Sequence, residues 1–512
     1  MSASAGARPA LRRGRIRAVD VRSALGLVGT QAKLLGVTAL LPAAVAIGYG
    51  ERFWNFLVAG ALTSGGGWLL ERRATGSRRV GVREGFLVVA LTWLVAAAFG
   101  AIPYLLSGVG QIDRPLDAYF ESMSGFTTTG ATVLTDIDAL PRGLLFWRQL
   151  TQWLGGMGII VLALAVLPRL RVGGRQLLES ELSGPDVEPL TTRIRQTAQR
   201  LWILYVGFTL LQALVLVVIG LTGIDDRMNP FNAVGTALTT MPTGGFSPEN
   251  RSAITLAATT QWVIALFMVV AGINFALMYR TIVRRQPRAL PRDEEFRVYI
   301  GLLVLGATVL AVELWTEGLD SGEAAIRHGV FQAVSMMTTT GFASANYVVW
   351  PTLALMAIVG LMFLGGSAGS AAGSVKVVRH LLLGKVLRRE LAQTVHPELV
   401  QPIRLNSIVV DERTLRAVGS FILLYIGIFI VGASLLAIDA ARAGVELSVQ
   451  DSIAAAAATL GNVGPGLGFA GPLGSYEPFS DLSSVVLIGL MWLGRLELLP
   501  VVVLFTRSYW RN

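Results

Sequence analysis

Cysteine is absent from the 512 residues, which excludes disulfides, thiolate metal sites, iron–sulfur clusters and cysteine catalysis. Charge is scarce too. Asp, Glu, Lys and Arg make up 15% of the chain, against about 25% in a typical soluble one, and so little polar surface cannot cover several cores in water. The three histidines, His328, His380 and His396, share no metal-ligand spacing and read as surface residues at loops or span ends. No cluster of Asp, Glu or His converges on one segment, which argues against a membrane-embedded enzyme. What the chain has in abundance is apolar: 53% hydrophobic residues, a mean hydropathy of +0.60 and recurring apolar runs of about 20 residues. These features predict an all-α polytopic membrane protein. The net charge of +10 would suggest nucleic acid in a soluble protein, but here it belongs in cytoplasmic loops facing anionic lipid, and no nucleic-acid partner is expected.

Apolar runs bounded by charge predict ten spans, at 32–50, 53–71, 84–107, 143–168, 200–224, 256–279, 296–315, 350–378, 416–438 and 483–506. A tail rich in Arg precedes the first (Arg8, Arg12, Arg13, Arg15, Arg17, Arg22) and is too long for a typical cleaved signal. Loops expected on the same side carry Arg72, Arg73, Arg78, Arg79 and Arg83, then Arg169, Arg171 and Arg175, then Arg280, Arg284, Arg285 and Arg288, then Lys385, Arg388 and Arg389. The opposite loops lean acidic, with Asp113, Asp117, Glu121, Asp136 and Asp138 in the first of them. An even number of spans then leaves both termini cytoplasmic.

Four outer loops each hold a short helix-like stretch that ends in Thr or Gly. The first ends Phe126-Thr-Thr-Thr-Gly130, the second Thr243-Gly-Gly245, the third Thr338-Thr-Thr-Gly341 and the fourth Gly461-Asn-Val-Gly464. The following spans echo one another as well, in Trp153-Leu-Gly-Gly156, Phe363-Leu-Gly-Gly366, Trp492-Leu-Gly-Arg495 and, more weakly, Val269-Val-Ala-Gly272. Four such units with one shared orientation predict a ring around a pseudo-fourfold pore, and they argue against a transporter built on inverted repeats. Irregular backbone at membrane depth is tolerated where it lines a water-filled path. Gly lets successive carbonyls face inward, and the hydroxyls of Thr127, Thr128, Thr129, Thr338, Thr339 and Thr340 add oxygen ligands. Each short helix would aim the negative end of its dipole at the axis. Rings of neutral oxygens suit a hard monovalent cation.

The expected domains are a basic cytoplasmic tail at 1–30, an extra helix pair at 31–80, and pore units at 81–180, 195–290, 293–390 and 410–512. From about residue 30 to the end the chain resembles the Trk/Ktr/HKT superfamily of potassium transporters, and within it the Trk-type uptake membrane subunits. The resemblance is carried by Ser124-Gly-Phe-Thr-Thr-Thr-Gly-Ala-Thr-Val-Leu134, Gln152-Trp-Leu-Gly-Gly-Met-Gly-Ile-Ile160 and Asn462-Val-Gly-Pro-Gly-Leu-Gly468. It implies four span–pore-helix–span units behind two extra N-terminal helices, and a selectivity filter with one Gly per unit, at Gly130, Gly245, Gly341 and Gly464. The neighbouring filter residues would be Thr128, Thr129, Thr243, Gly244, Thr339, Thr340, Asn462 and Val463. Some plant relatives with Ser at the first filter Gly favour sodium, so four glycines imply potassium, as substrate and not as cofactor. The resemblance also implies a homodimer in the bacterial cytoplasmic (inner) membrane, with a separate cytosolic nucleotide-binding regulatory subunit on the basic side. A coupled symporter of the same fold, carrying potassium with sodium or protons, is the alternative.

The span at 350–378 is broken by ten small residues, among them Gly365, Gly366, Ser367, Gly369, Ser370 and Gly373. They form either a close packing face or, as the resemblance implies, an intramembrane loop that gates the path below the filter. Arg495 falls near mid-membrane, where a cation costs several kcal/mol without partners. Its counterparts Gly156, Gly272 and Gly366 would leave room for it across the axis, where it could hold carbonyls of that loop; the alternative is a structural pair with Glu497 or a packing role. Glu121 either draws cations to the outer mouth or sits on a solvated helix. Glu84 and Glu313 read as span-end or structural carboxylates, and Asn274 as a residue bonding across helices.

Overall fold

The computed structural model describes residues 19–74, 81–165 and 190–511. The expected arginines at 8–17, 78–79 and 169–175, and much of the expected tail, lie outside the described residues. The described chain is helical apart from turns and one two-stranded hairpin, Arg404–Leu405 with Ile408–Val409. Among the described residues five helices are long and apolar enough to cross a bilayer, and two strongly bent pairs bring the number to seven, against the ten spans expected. The other three fall on Trp54–Arg73, Arg142–Ala165 and Thr352–Met362. The first two are diluted by Gly, Ser, Thr, Gln and Arg, and the third stops after 11 residues.

The first helix begins at Val21, not at 32, because Asp20 caps it by accepting from Ser23 N. The stretch before 32 lacks a continuous apolar run, so hydropathy misses it. It packs closely on Trp54–Arg73 through small residues: a Cβ at Gly36 would come 2.6 Å from Gly60 O, and one at Gly67 would overlap Gly29 O. Lys33 and Glu71 pair beside this seam.

Breaks interrupt three of the expected spans. Ala258–Ala271 and Phe275–Ile282 meet at 102°, and Asp481–Arg495 and Leu499–Phe505 at 112°. In the third unit Thr352–Met362 gives way to non-helical chain before Val377–Val395. Expected spans 256–279, 350–378 and 483–506 are therefore not continuous helices. Hydropathy averages over a window and cannot see a turn inside it. Asn274 makes one of these turns: its side chain caps Phe275–Ile282 by accepting from Ala276 N and Leu277 N, so it bonds locally and not across helices.

The four short helices, Pro115–Phe126, Pro230–Thr240, Glu323–Met337 and Val449–Leu460, lie inside this frame. The inner turns of the first, third and fourth are buried on all sides, at Glu121–Phe126, Ala333–Met337 and Ala454–Leu460. A helix end with no exposed face is an interior element, even where it carries polar residues such as Glu121, Ser124 and Ser335. Pro at the start of the first two, and a Ser448–Asp451 capping box on the fourth, fix where they begin.

Candidate functional site

Each short helix ends in the same backbone turn. A non-glycine residue takes a left-handed conformation, Thr128 (φ 51°), Thr243 (57°), Thr339 (58°) and Asn462 (55°), and a left-handed Gly follows two positions later. Those glycines are Gly130 (83°), Gly245 (75°), Gly341 (84°) and Gly464 (99°). The amides of the turns point back at their own helices. Thr129 N donates to Ser124 O at 2.9 Å, Gly244 N to Thr239 O at 2.9 Å, Thr340 N to Ser335 O at 2.9 Å and Val463 N to Ala458 O at 2.7 Å. With the amides engaged, the carbonyls are turned the other way. Among the described residues, none of Thr128, Thr129, Thr243, Thr339, Thr340, Asn462 and Val463 has a backbone carbonyl that accepts a hydrogen bond. Buried carbonyls are rarely left so.

The four turns close into a ring. A Cβ on Gly130 would overlap Gly244 O of the second turn, one on Gly245 would overlap Thr340 O of the third, and one on Gly341 would overlap Val463 O of the fourth. One on Gly464 would come 2.5 Å from Thr129 O of the first, completing the circuit. Hydroxyls brace it: Thr127 and Thr129 Oγ1 are 2.7 Å apart, Thr338 and Thr340 Oγ1 are 2.8 Å apart, and Asn462 Nδ2 donates to Thr129 Oγ1 at 3.0 Å. Chemically this is a set of neutral oxygens fit to replace the hydration shell of a cation, with no nucleophile or titratable group in the turns.

The segment 365–374 lies directly against this ring. Gly373 N donates to Thr339 Oγ1 at 2.7 Å, and a Cβ at Gly373 would overlap Gly461 O. Ser367 N donates to Gly272 O at 2.9 Å, and Phe275 N to Gly369 O at 3.3 Å, so the segment fills the break in the second unit. Buried Glu295 accepts from Ala368 N (2.6 Å) and Val378 N (3.2 Å), and Lys376 Nζ donates to Ala372 O. Arg495, 2% exposed, crosses from the fourth unit: its Nη1 donates to Ala371 O at 2.9 Å and its Nη2 to Gly155 O at 3.5 Å. Glu497 pairs with Arg379. The expected counterparts of Arg495 do not clear space for it. Gly156 sits against Pro242, Gly272 against Tyr299 Oη and Thr338, and Gly366 against Ala372 and Gly272 O; their small size lets neighbouring elements touch.

On the other side of the ring a cavity of about 210 Å³ is lined by Gly130, Gly245, Gly341 and Pro465. Glu121 does not face it as a free charge. It is fully buried, pairs with Arg148 and accepts from Thr132 Oγ1 and Val133 N. Arg148 also donates to Ser247 O at 3.2 Å and stacks 3.6 Å over the Phe246 ring, joining the first turn to the second. Further contacts run around the ring on this side: Arg114 with Asp481, Asn250 with Asp136 and Asp138, and Trp262 Nε1 with Glu323. The Trp262 indole and Arg327 hold the Glu323 carboxyl below its ordinary range.

The TrkH family, described as "Cation transport protein", matches residues 50–511. Relatives agree along the whole length. The chain is 39% identical to the Trk system potassium uptake protein TrkH of Salmonella typhimurium, with 96% of this chain and 99% of that one aligned. It is 32% identical to the Trk system potassium uptake protein TrkG of Escherichia coli, over 96% and 99%. The crystal structure of the potassium transporter TrkH from Vibrio parahaemolyticus superposes with a TM-score of 0.86 at 32% identity, covering 96% of this chain and 100% of that one. The chain belongs to the TrkH family. It is thus an all-α, multi-pass membrane transporter and not an enzyme.

Within this TrkH-family chain several residues at the ring escaped the sequence reading. Arg148 and Gln152 lie on Arg142–Ala165, and Gln152 spans to the second turn by donating to Gly244 O (2.7 Å) and accepting from Phe246 N (3.0 Å). Glu295, Lys376 and Arg379, around the 365–374 segment, each look like an ordinary span-end charge in the sequence. A buried polar residue at helix spacing from Gly155–Gly156 was the available signal. His328 and His380 are half-buried and bonded, to Ser344 Oγ and Phe363 O, unlike His396, which is exposed.

Proposed function

We propose that this chain carries potassium into the cell across the bacterial cytoplasmic membrane, through a filter formed by Thr128–Gly130, Thr243–Gly245, Thr339–Gly341 and Asn462–Gly464. The closed ring of four turns carries this reading. Backbone whose φ alternates in sign turns successive carbonyls to one side, and four such stretches offer stacked layers of neutral oxygens to a dehydrated monovalent cation. The curated relatives' names, Trk system potassium uptake protein, support potassium as that cation. Four span–short-helix–span units supply the ring, with the helix pair before them outside it.

The segment holding Gly365, Gly366, Ser367, Gly369, Ser370 and Gly373 is the gate. In the state described it lies under the ring and is tied there by Arg495, Glu295, Lys376 and Thr339. Arg495 adds a positive charge that opposes a cation leaving the filter. Both termini are cytoplasmic, two copies form a homodimer, and a cytosolic nucleotide-binding subunit, in keeping with the word "system" in the relatives' names, works the gate from the basic side. The test is rubidium flux into liposomes containing only this chain. Potassium should compete strongly and sodium weakly, and collapsing sodium and proton gradients should leave the flux unchanged. Flux that follows either gradient would replace this reading by the coupled symporter, and flux indifferent to potassium would remove the filter.

A further inference from the structure

The basic end of the molecule holds a cavity that the ion path does not use. It has a volume of about 910 Å³ and lies between the turn after Phe275–Ile282, the start of Glu294–Thr316 and the tip of the 404–409 hairpin. Arg280, Arg288, Arg292 and Arg297 line it, with Asn406 and Ser407 at the hairpin tip.

Two carboxylates also border the cavity, and both are committed elsewhere. Asp293 caps the helix by accepting from Phe296 N and takes a second bond from Asn406 Nδ2 at 2.6 Å. Glu294 pairs with Lys385 and accepts from Asn406 N at 3.2 Å. Among the described residues, Arg288, Arg292 and Arg297 have no ion-pair partner. Three arginines from the stretch 288–297 thus line one concave wall, while the neighbouring carboxylates are engaged by Asn406 and Lys385. Like charges gathered this way repel, and an anion with several acceptor oxygens relieves the repulsion. Guanidinium forks match phosphate oxygens in pairs.

We infer that this cavity binds a phosphate-bearing anion, held by Arg288, Arg292 and Arg297. Its volume is larger than one phosphate needs and suits a phosphate with a polar substituent. The rim fits a lipid source, because Ile282 and Val283 stand 52% and 51% exposed beside it, and basic pockets at the ends of spans take anionic headgroups. A soluble phosphate compound offers the same chemistry from the aqueous side. The site also has a route to the gate, since Asp293 and Glu294 directly precede Glu295, which holds Ala368 and Val378.

Binding is tested on the full chain in neutral detergent by the thermal unfolding midpoint, with dioctanoyl phosphatidylglycerol, dioctanoyl phosphatidylcholine and inorganic pyrophosphate as probes. The parent should be stabilised by phosphatidylglycerol, pyrophosphate or both. In the combined Arg288→Gln, Arg292→Gln, Arg297→Gln variant the half-saturating concentration should rise at least tenfold. The pair Arg413→Gln, Arg416→Gln, basic but outside the cavity, should respond like the parent. Stabilisation by phosphatidylglycerol alone assigns the site to lipid, and by pyrophosphate alone to a soluble compound. No response to either anion, an equal response to phosphatidylcholine, or equal losses in both variants would overturn the proposal. If the triple variant fails to fold, Arg297→Gln alone should weaken binding at least threefold, and parental binding in it would be equally decisive. None of these readouts depends on transport, so failure here leaves the potassium reading intact.

Discussion

Left-handed backbone in a residue with a Cβ costs on the order of 1–3 kcal/mol, and this chain carries it at Thr128, Thr243, Thr339 and Asn462 alike. Strain repeated at four matched places is what a shared geometric demand produces, and the ring of facing carbonyls is that demand. Replacing Gly130 or Gly464 by Ser puts a side chain against Gly244 O or Thr129 O and forces the turn outward. The potassium-to-sodium flux ratio should fall at least tenfold in liposomes at matched protein levels; an unchanged ratio would take these turns out of the filter. Glu121 makes a different point at the same scale. Its sequence neighbours leave it either a mouth charge or a residue of a solvated helix, but Arg148, 27 positions away, meets it in a fully buried pair. Contacts across that distance leave no mark in local patterning. Removing one partner of a buried pair typically costs about 3–5 kcal/mol, so Glu121→Gln should lower the thermal midpoint markedly. Glu121→Gln combined with Arg148→Met should recover part of the loss, because no buried charge is then left alone.

At the scale of elements, what the sequence made legible was what repeats or what is long. The four short helices and their Gly turns share a pattern of Thr and Gly, and the long apolar helices stand out in hydropathy. The breaks at 272–274 and 496–498 could not, since Gly-Ile-Asn and Leu-Glu-Leu look like ordinary span residues until Asn274 is seen to cap a new helix and Glu497 and Leu498 to take left-handed φ. Only the break at 365–374 advertises itself, by ten small residues in a row. Its ties set what its removal should do. Shortening it should raise basal rubidium flux without altering ion preference, and low flux in a folded variant would make it a packing element. Arg495→Ala removes the bonds to Ala371 O and Gly155 O together with the charge, and basal flux should rise several-fold. Arg495→Lys should fall between, because a point charge keeps the field but cannot bridge two carbonyls. Equal flux in the Ala variant and the parent would place this side chain outside the path.

The whole molecule divides into a ring whose turns touch in sequence and a helix pair whose contacts run mainly along its own seam. The pair, Val21–Gly48 and Trp54–Arg73, is packed through Gly29, Gly36, Gly60 and Gly67, where backbone approaches backbone. None of these glycines touches the four turns. An added side chain there should therefore act on stability and not on the carbonyls of the ring. Gly36→Leu would drive a large group into Ser64 and Gly60 O and part the two helices. The expected cost is about 1–3 kcal/mol, as for overpacking in a tight core, seen as a lower thermal midpoint in detergent. The potassium-to-sodium ratio of the protein that remains folded should equal the parent's. A changed ratio would mean that the ring takes its shape partly from the leading pair. The physical route would then be the contact of Ala43 and Ala46 with the start of Arg142–Ala165, where Gly143 already lies close to Ala46 and Phe56.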